Sequence, residues 1–215
     1  MTESDIKAIL DRKSAAPLPT NLATIRAQER SYYSYTANGY ARGRFSVVTV
    51  RDVEKEEDFE HLATLPQVNQ VVPLGRLLLR GGPSDSERGL RQAAAALHAD
   101  MLLVYTFDTD FFVGDALCPL SVVTLRLSPH ERVRVATTAS AALLDVRTGY
   151  VYGSCETTAR RRQLAGGWTS SNAADAPRLK TEREAFENLL AEFERLWQGV
   201  VKDRQASVGA GKTPG

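Results

Sequence analysis

The spacing of apolar positions divides the chain into short helices and strands. Residues 5–13 predict a short helix carrying Ile6, Ile9 and Leu10 on one side, and Pro17 and Pro19 stop it. Residues 21–28 predict a first strand, 31–43 a loop or irregular hairpin, and the β-branched run 45–50 a second strand. A helix over 55–65 opens with Glu56, Glu57 and Asp58, which suit the positive end of a helix dipole. Pro66 ends it, and 68–74 predict a third strand. Gly81-Gly82-Pro83 predicts a turn. Ser84 and Glu87 have capping-box spacing, and Leu90, Ala93, Ala94 and Leu97 follow on one helical face, which ends near His98. Residues 101–107 are almost wholly apolar, as a central strand buried on both faces requires.

The second half predicts a meander. Strands are expected at 120–127, 133–146 and 150–160, with Thr148-Gly149 as a two-residue hairpin turn. Pairing across that turn sets Val146 opposite Val151, Leu144 opposite Gly153 and Ala142 opposite Cys155. A Gly/Ser-rich loop covers 164–177. Thr181 to Glu184 forms a second capping box, and Phe186, Leu189, Leu190, Phe193, Leu196, Trp197, Val200 and Val201 predict the clearest amphipathic helix. Residues 1–19 read as a helix with a Pro-rich lead-in, 20–203 as one domain, and 204–215 as a disordered tail. The fold class expected is α/β (α+β): a mixed, largely antiparallel sheet with helices packed on it.

Composition narrows the class. The 215 residues are 43% hydrophobic and 25% charged, with 27 Lys+Arg against 26 Asp+Glu and a net charge of +1. These averages exclude collagenous, disulfide-scaffold and wholly disordered chains. No apolar run reaches the roughly 18–20 residues of a membrane-spanning helix. The basic residues are skewed, 21 Arg to 6 Lys. Residues 1–5 lack the charged and apolar regions of a signal peptide. Cys118 and Cys155 are too few for a disulfide framework or a zinc site. The meander places them on either side of the strand containing Ala142. That is about 9.5 Å apart, beyond the roughly 7 Å reach of a disulfide.

Few positions carry chemistry. The tail string 206–213 has relaxed phosphate-loop spacing, but a helix precedes it where the phosphate site needs a strand. His61, His98 and His130 lie on separate elements without metal-ligand spacing, so neither a metal nor a cofactor is expected. Asp108 and Asp110 alternate along the exit of the central strand. They fit a solvated strand end, or a carboxylate pair for a cation-dependent enzyme. Tyr32, Tyr33, Tyr35 and Tyr40, followed by Arg42 and Arg44, form an acid-free segment that also includes Arg51. Tyrosine and arginine anchor protein interfaces. They also stack on bases, so single-stranded nucleic acid is an alternative, disfavoured by the near-neutral charge. Arg160, Arg161 and Arg162 end the meander. On a strand Arg160 and Arg162 share a face that can meet an anionic surface or remain solvated.

Two strings carry a resemblance. Residues 99–104, Ala-Asp followed by a buried strand after an Ala-rich helix, and residues 142–152, with an Asp-x-x-Thr-Gly hairpin, resemble a group of bacterial envelope proteins. The group includes the curli secretion lipoprotein CsgG, the penicillin-binding-protein activator LpoB and the N-terminal domain of TolB. Residues 71–103 are similar to rhombotarget lipoproteins in their order of strand, Pro, apolar segment, Arg-Gly-Gly, helix and buried strand. The resemblance implies a mixed α/β domain in the periplasm or anchored to the outer membrane. It implies a non-enzymatic interaction or assembly module whose partner is an envelope protein or a second copy. Membrane contact is expected only through a lipid anchor absent from this chain, since no lipobox cysteine stands near residue 1. The interface residues expected are the Tyr/Arg segment and the Arg160–Arg162 triplet. Alkylation of unfolded, unreduced protein should label both Cys118 and Cys155; labelling of neither would reveal a bridge.

Overall fold

In the computed structural model the periodic segments become, in chain order, α1 (Glu3–Leu10), β1 (Thr20–Glu29), β2 (Gly39–Tyr40), β3 (Phe45–Val48), α2 (Glu56–Ala63), β4 (Val68–Pro73), a 3-10 turn (Arg76–Leu79), α3 (Glu87–Ala96), β5 (Met101–Asp115), β6 (Glu131–Asp145), β7 (Val151–Leu164) and α4 (Ser171–Ala210). The structure describes residues 2–29, 39–40, 45–79, 86–115, 131–164 and 171–210. The strand expected at 120–127, the turn at 81–83, Cys118 and His130 lie outside them.

All the strands join one sheet in the order β2-β3-β1-β5-β6-β7, with β4 beside the first half of β1. β1 runs parallel to β4 and β5, and the remaining pairs are antiparallel. This is the mixed, largely antiparallel sheet that the sequence predicts. Side chains alternate across it, and each face has its own core. On one face Leu22, Met101, Leu103, Tyr105, Phe107 and Leu143 pack under α2 and α4, against Phe59, Leu62, Phe186, Leu189, Phe193 and Trp197. On the other, Ala23, Ile25, Val47 and Leu102 meet Leu90, Ala93 and Ala94 of α3. The central strand is thus buried on both faces only near its start. Beyond Tyr105 its second face turns polar: Thr106 is half-buried, and Asp108 and Asp110 are exposed.

Three expectations need correction. The cap of α3 is Ser86, whose Oγ accepts the Gly89 N–H at 3.1 Å. The expected cap, Ser84, lies outside the described residues. Helix α4 begins well before Thr181. That residue is fully buried inside the helix and donates its hydroxyl to the Pro177 carbonyl at 2.8 Å. The early start follows from tertiary contacts: Arg178 and Glu182, both almost wholly buried, fasten this turn onto the sheet. At its other end α4 continues to Ala210, where a tail was expected from 204. Val200 and Val201 are buried there, and Arg204 donates to Ser14 Oγ at 3.1 Å and to the Ala16 carbonyl. The phosphate-loop-like string at 206–213 therefore starts within a helix.

The third correction concerns the β6–β7 turn. The observed partners are Leu144 with Val151, Leu143 with Gly153 and Ala141 with Cys155. The register is offset from the expected one because the turn is longer and Tyr152 is an extra residue opposite the ladder. The Asp145 carboxylate causes both. It is fully buried and accepts the N–H groups of Arg147 (2.9 Å) and Thr148 (3.0 Å), holding open a wider turn. It also accepts the Tyr152 hydroxyl (2.9 Å) and the N–H groups of Ala15 (2.6 Å) and Ala16 (2.7 Å), which fastens the N-terminal segment to the sheet. Gly149 fills the left-handed position of this turn at φ +70°, as expected. Gly153 has another role: a Cβ there would lie 2.8 Å from Leu196 Cδ1, so its absence lets α4 settle on β7.

These donors hold the Asp145 carboxyl below its ordinary 3.8, against the opposing effect of burial. The stability that it supplies is present above that value and is lost as pH falls through the depressed folded pKa. Asp145→Asn should cost about 2–3 kcal/mol at neutral pH and flatten the acid limb of the stability profile. Urea unfolding across pH is the measurement, and an unchanged acid limb would contradict this role.

Candidate interaction surface

Helix α4 covers β5, β6 and β7 on one face, and α3 meets the other face only over its β1 side. Among the described residues nothing covers the second face of β6, β7 and the later part of β5. Its composition follows from alternation. β5 presents Thr106, Asp108 and Asp110; β6 presents Arg134, Ala136, Thr138 and Ser140; β7 presents Glu156, Thr158, Arg160 and Arg162. Register lines them up in rows: Thr106–Ser140–Glu156, Asp108–Thr138–Thr158, Asp110–Ala136–Arg160, and finally Arg134–Arg162. Thr138 and Thr158 hydroxyls lie 3.0 Å apart, and Ser140 Oγ donates to Glu156 Oε2 at 2.8 Å. Asp108 and Asp110 therefore stand on the β5 side, Arg134, Arg160 and Arg162 gather toward one end of β6 and β7, Glu156 stands on β7 toward the other end, and small or hydroxyl groups fill the strip between.

The structure divides the expected Arg triplet. Arg160 and Arg162 do share the open face. Arg161 points to the α4 side, where its Nε donates to Glu184 Oε2 at 2.7 Å. The sequence reading missed Arg134, which stands directly across from Arg162. Only the correct β6–β7 register reveals this pairing, and Asp145 sets that register. Like charges directly opposite on adjacent strands are unfavourable. Among the described residues, neither Arg134, Arg160 nor Arg162 forms an ion pair within the chain.

The other expected site residues separate. Asp108 and Asp110 are exposed on the open face, opposite Thr138 and Ala136. Tyr40 lies in β2 opposite Val47. Tyr32, Tyr33, Tyr35, Arg42 and Arg44 are outside the described residues. Cys155 is a free, half-buried thiol, pushed up to about 11 by burial and then by Glu192, which leaves it protonated and unreactive at neutral pH. The slot lined by Tyr105, Phe186 and Phe193 holds about 10 Å³ and is apolar, so it offers no room for a ligand.

Beneath the α4 face, near the later half of β5, lies a buried ionic cluster that sequence reasoning did not find. Arg26 Nη1 meets Asp52 Oδ1 at 2.7 Å and Glu54 Oε2 at 3.3 Å, with its guanidinium over the Phe107 ring. The Tyr105 hydroxyl donates to Glu54 Oε1 at 2.8 Å. Arg178 Nη2 meets Asp52 Oδ2 at 3.3 Å and also pairs with Glu182. Thr109 Oγ1 donates to Glu182 Oε1 at 3.0 Å. Next to it, Gln28 Oε1 accepts the Phe107 N–H (3.1 Å) and the Thr106 hydroxyl (2.8 Å), carrying the β1–β5 contact past the end of their ladder. The sequence signal available was Arg26 and Gln28 in alternation with Leu22 and Thr24 on the α4-facing positions of β1, where a charged residue needs a buried partner. The charged groups pair with one another across four segments, while Gln28 Nε2 and Arg26 Nε are buried without a hydrogen-bond acceptor among the described residues, and the cluster acts as a lock between β1, residues 52–54, β5 and α4.

No protein-family model matches this chain, and no curated protein matches it. Solved structures do match at low identity. A DUF330 protein from Xanthomonas campestris is 12% identical over 91% of this chain and 92% of its own, with a TM-score of 0.44. Lipoprotein GNA1162 from Neisseria meningitidis is 12% identical over 81% and 99%, with a TM-score of 0.38. The LpoB C-terminal domain from Salmonella enterica is 12% identical over 71% and 90%, with a TM-score of 0.34. Bacterial lipoproteins thus stand among the structural neighbours, LpoB included. The likeness is too distant to bear on function.

Burial raises the Glu182 pKa, and Arg178 opposes that rise. A raised carboxyl pKa means tighter proton binding in the folded state. Its contribution to stability is full below the ordinary 4.5 and is lost as pH rises through the folded value. Glu182→Gln should therefore flatten the decline in stability as pH rises above the ordinary carboxyl value of 4.5, measured by urea titration. Arg26→Met, which leaves Glu54 without its cation and Asp52 with Arg178 alone, should cost about 3–5 kcal/mol by the same measurement.

Proposed function

We propose that this protein is a non-enzymatic interaction module of the bacterial cell envelope, docking a protein partner on the open face of β5, β6 and β7. The observation that carries this reading is the Arg134–Arg162 cross-strand pair with Arg160 beside it. The chain keeps three guanidiniums together on a face that no described residue covers, at an electrostatic cost that a partner's carboxylates would offset. The flanking Thr and Ser hydroxyls supply adaptable hydrogen bonds, and the small Ala136 allows close approach. Tyr32, Tyr33, Tyr35, Tyr40, Arg42 and Arg44 are proposed as a second, separate partner-binding segment.

The envelope location is supported by the resemblance of residues 99–104 and 142–152 to the CsgG, LpoB and TolB group. A photo-crosslinking residue placed at 160 or 162, in cells of a bacterium that naturally carries the gene, should give light-dependent adducts in the envelope fraction. The double variant Arg160→Glu/Arg162→Glu, with the crosslinker at Arg134, should lose them by about tenfold or more. Adducts only in the cytosolic fraction, or none at any of the three positions, would overturn the proposal.

A further inference from the structure

The outermost strand of the sheet carries a second feature. β7 pairs with β6 on one side, and among the described residues no strand pairs with its other side. It is 14 residues long. An unpaired edge of that length is a template for another strand unless something blocks it. Proteins commonly block such edges with charge, and Arg160–Arg162 is one candidate for that role. The placement of the charges points the other way.

We infer that β7 pairs antiparallel with β7 of a second copy of this chain, about a two-fold axis at Ala159. This deepens the proposed function by naming the partner of the same surface, and it rests on that reading. In this register residue 156 of one copy lies opposite residue 162 of the other, and residue 158 opposite 160. Glu156, Thr158, Arg160 and Arg162 all stand on the open face. Two Glu156–Arg162 ion pairs therefore form by symmetry, each flanked by a Thr158–Arg160 contact.

The register selects itself electrostatically. Arg162 already faces Arg134 within its own chain, so it is the arginine that most needs a carboxylate. Glu156 is exposed and is held toward that face by the Ser140 hydroxyl. Sliding the two copies apart by a further two residues would set Arg160 against Arg160, which is repulsive. On the opposite face Arg161 is occupied by Glu184, and the small Ala159 sits at the axis. An isologous contact of this kind closes on itself as a dimer, leaving no further β7 edge to recruit more copies.

Sedimentation velocity of the purified chain over a concentration series tests this. The unaltered chain should show a reversible monomer–dimer equilibrium. Glu156→Arg sets Arg against Arg across the interface and Arg162→Glu sets Glu against Glu, so each should weaken dimerisation by about tenfold or more. The charge-swapped Glu156→Arg/Arg162→Glu variant should restore it, and circular dichroism of all four proteins checks that the fold is kept. A chain that stays monomeric throughout overturns the inference and makes the arginines a blocking device. A dimer indifferent to both single variants overturns it as well. So does rescue by Glu156→Arg/Arg160→Glu alone, which would place the axis at Thr158. In-cell adducts with a protein of different mass, alongside a monomeric purified chain, would leave the proposed function standing and remove only the self-pairing; loss of both signals removes both.

Discussion

The contact on which the remaining architecture depends is the shared grip of Arg26 and Arg178 on Asp52. Two guanidiniums and a carboxylate, each less than a tenth exposed, meet where β1 leaves its ladder and α4 begins. Charges this deep are tolerated only when mutually paired. The requirement therefore fixes several segments at once: the first turns of α4, the chain at 52–54, and the inward side of β1. With α4 committed to this face by its first turns and by Trp197, whose indole donates to the Pro66 carbonyl at 2.7 Å, it cannot also shield the other. The open polar surface on the far side of β5, β6 and β7 is the consequence.

Asp145 plays a comparable part at the opposite end of the sheet, where its carboxylate is held by neutral donors among the described residues. Four backbone N–H groups and one phenol neutralise its carboxylate. One residue thereby sets the turn, the extra residue in β7 and the attachment of the N-terminal segment. The attachment is reinforced from the other side by Arg204, which reaches Ser14 and the Ala16 carbonyl. The facing of Arg134 to Arg162 is thus decided by a buried carboxylate many residues away. The surface and the lock are parts of one arrangement: the lock decides which face is covered, and Asp145 decides which side chains meet on the face that is not.

Much of the fold is legible along the chain because it is local. The apolar run through 101–107 reports a strand buried on both faces, and the helical spacing of Leu90, Ala93 and Ala94, and that of Phe186, Leu189 and Phe193, each report burial on one face of one element. Gly149 likewise announces its own turn, since only the local backbone angle matters there. The candidate surface was half legible. Arg160 and Arg162 share a face on any strand, whatever its neighbours. Arg134 was hidden because its meaning depends on a register, and registers are set by groups distant in sequence.

The sequence by itself determined a mixed α/β sheet, the central strand, the two main helices and an arginine-bearing strand face. These are periodicities of a few residues, and period alone carries them. Only the tertiary structure decided that α4 starts at Ser171 and runs to Ala210, that Tyr152 is an extra residue, and that a third arginine joins the other two. The extension to Ala210 turns on Val200, Val201 and Arg204 meeting distant segments, and the early start of α4 and the register of β7 on a buried charge finding its partner across the chain. Such a group must be paired wherever water is excluded, and which partner it finds is written in no local pattern.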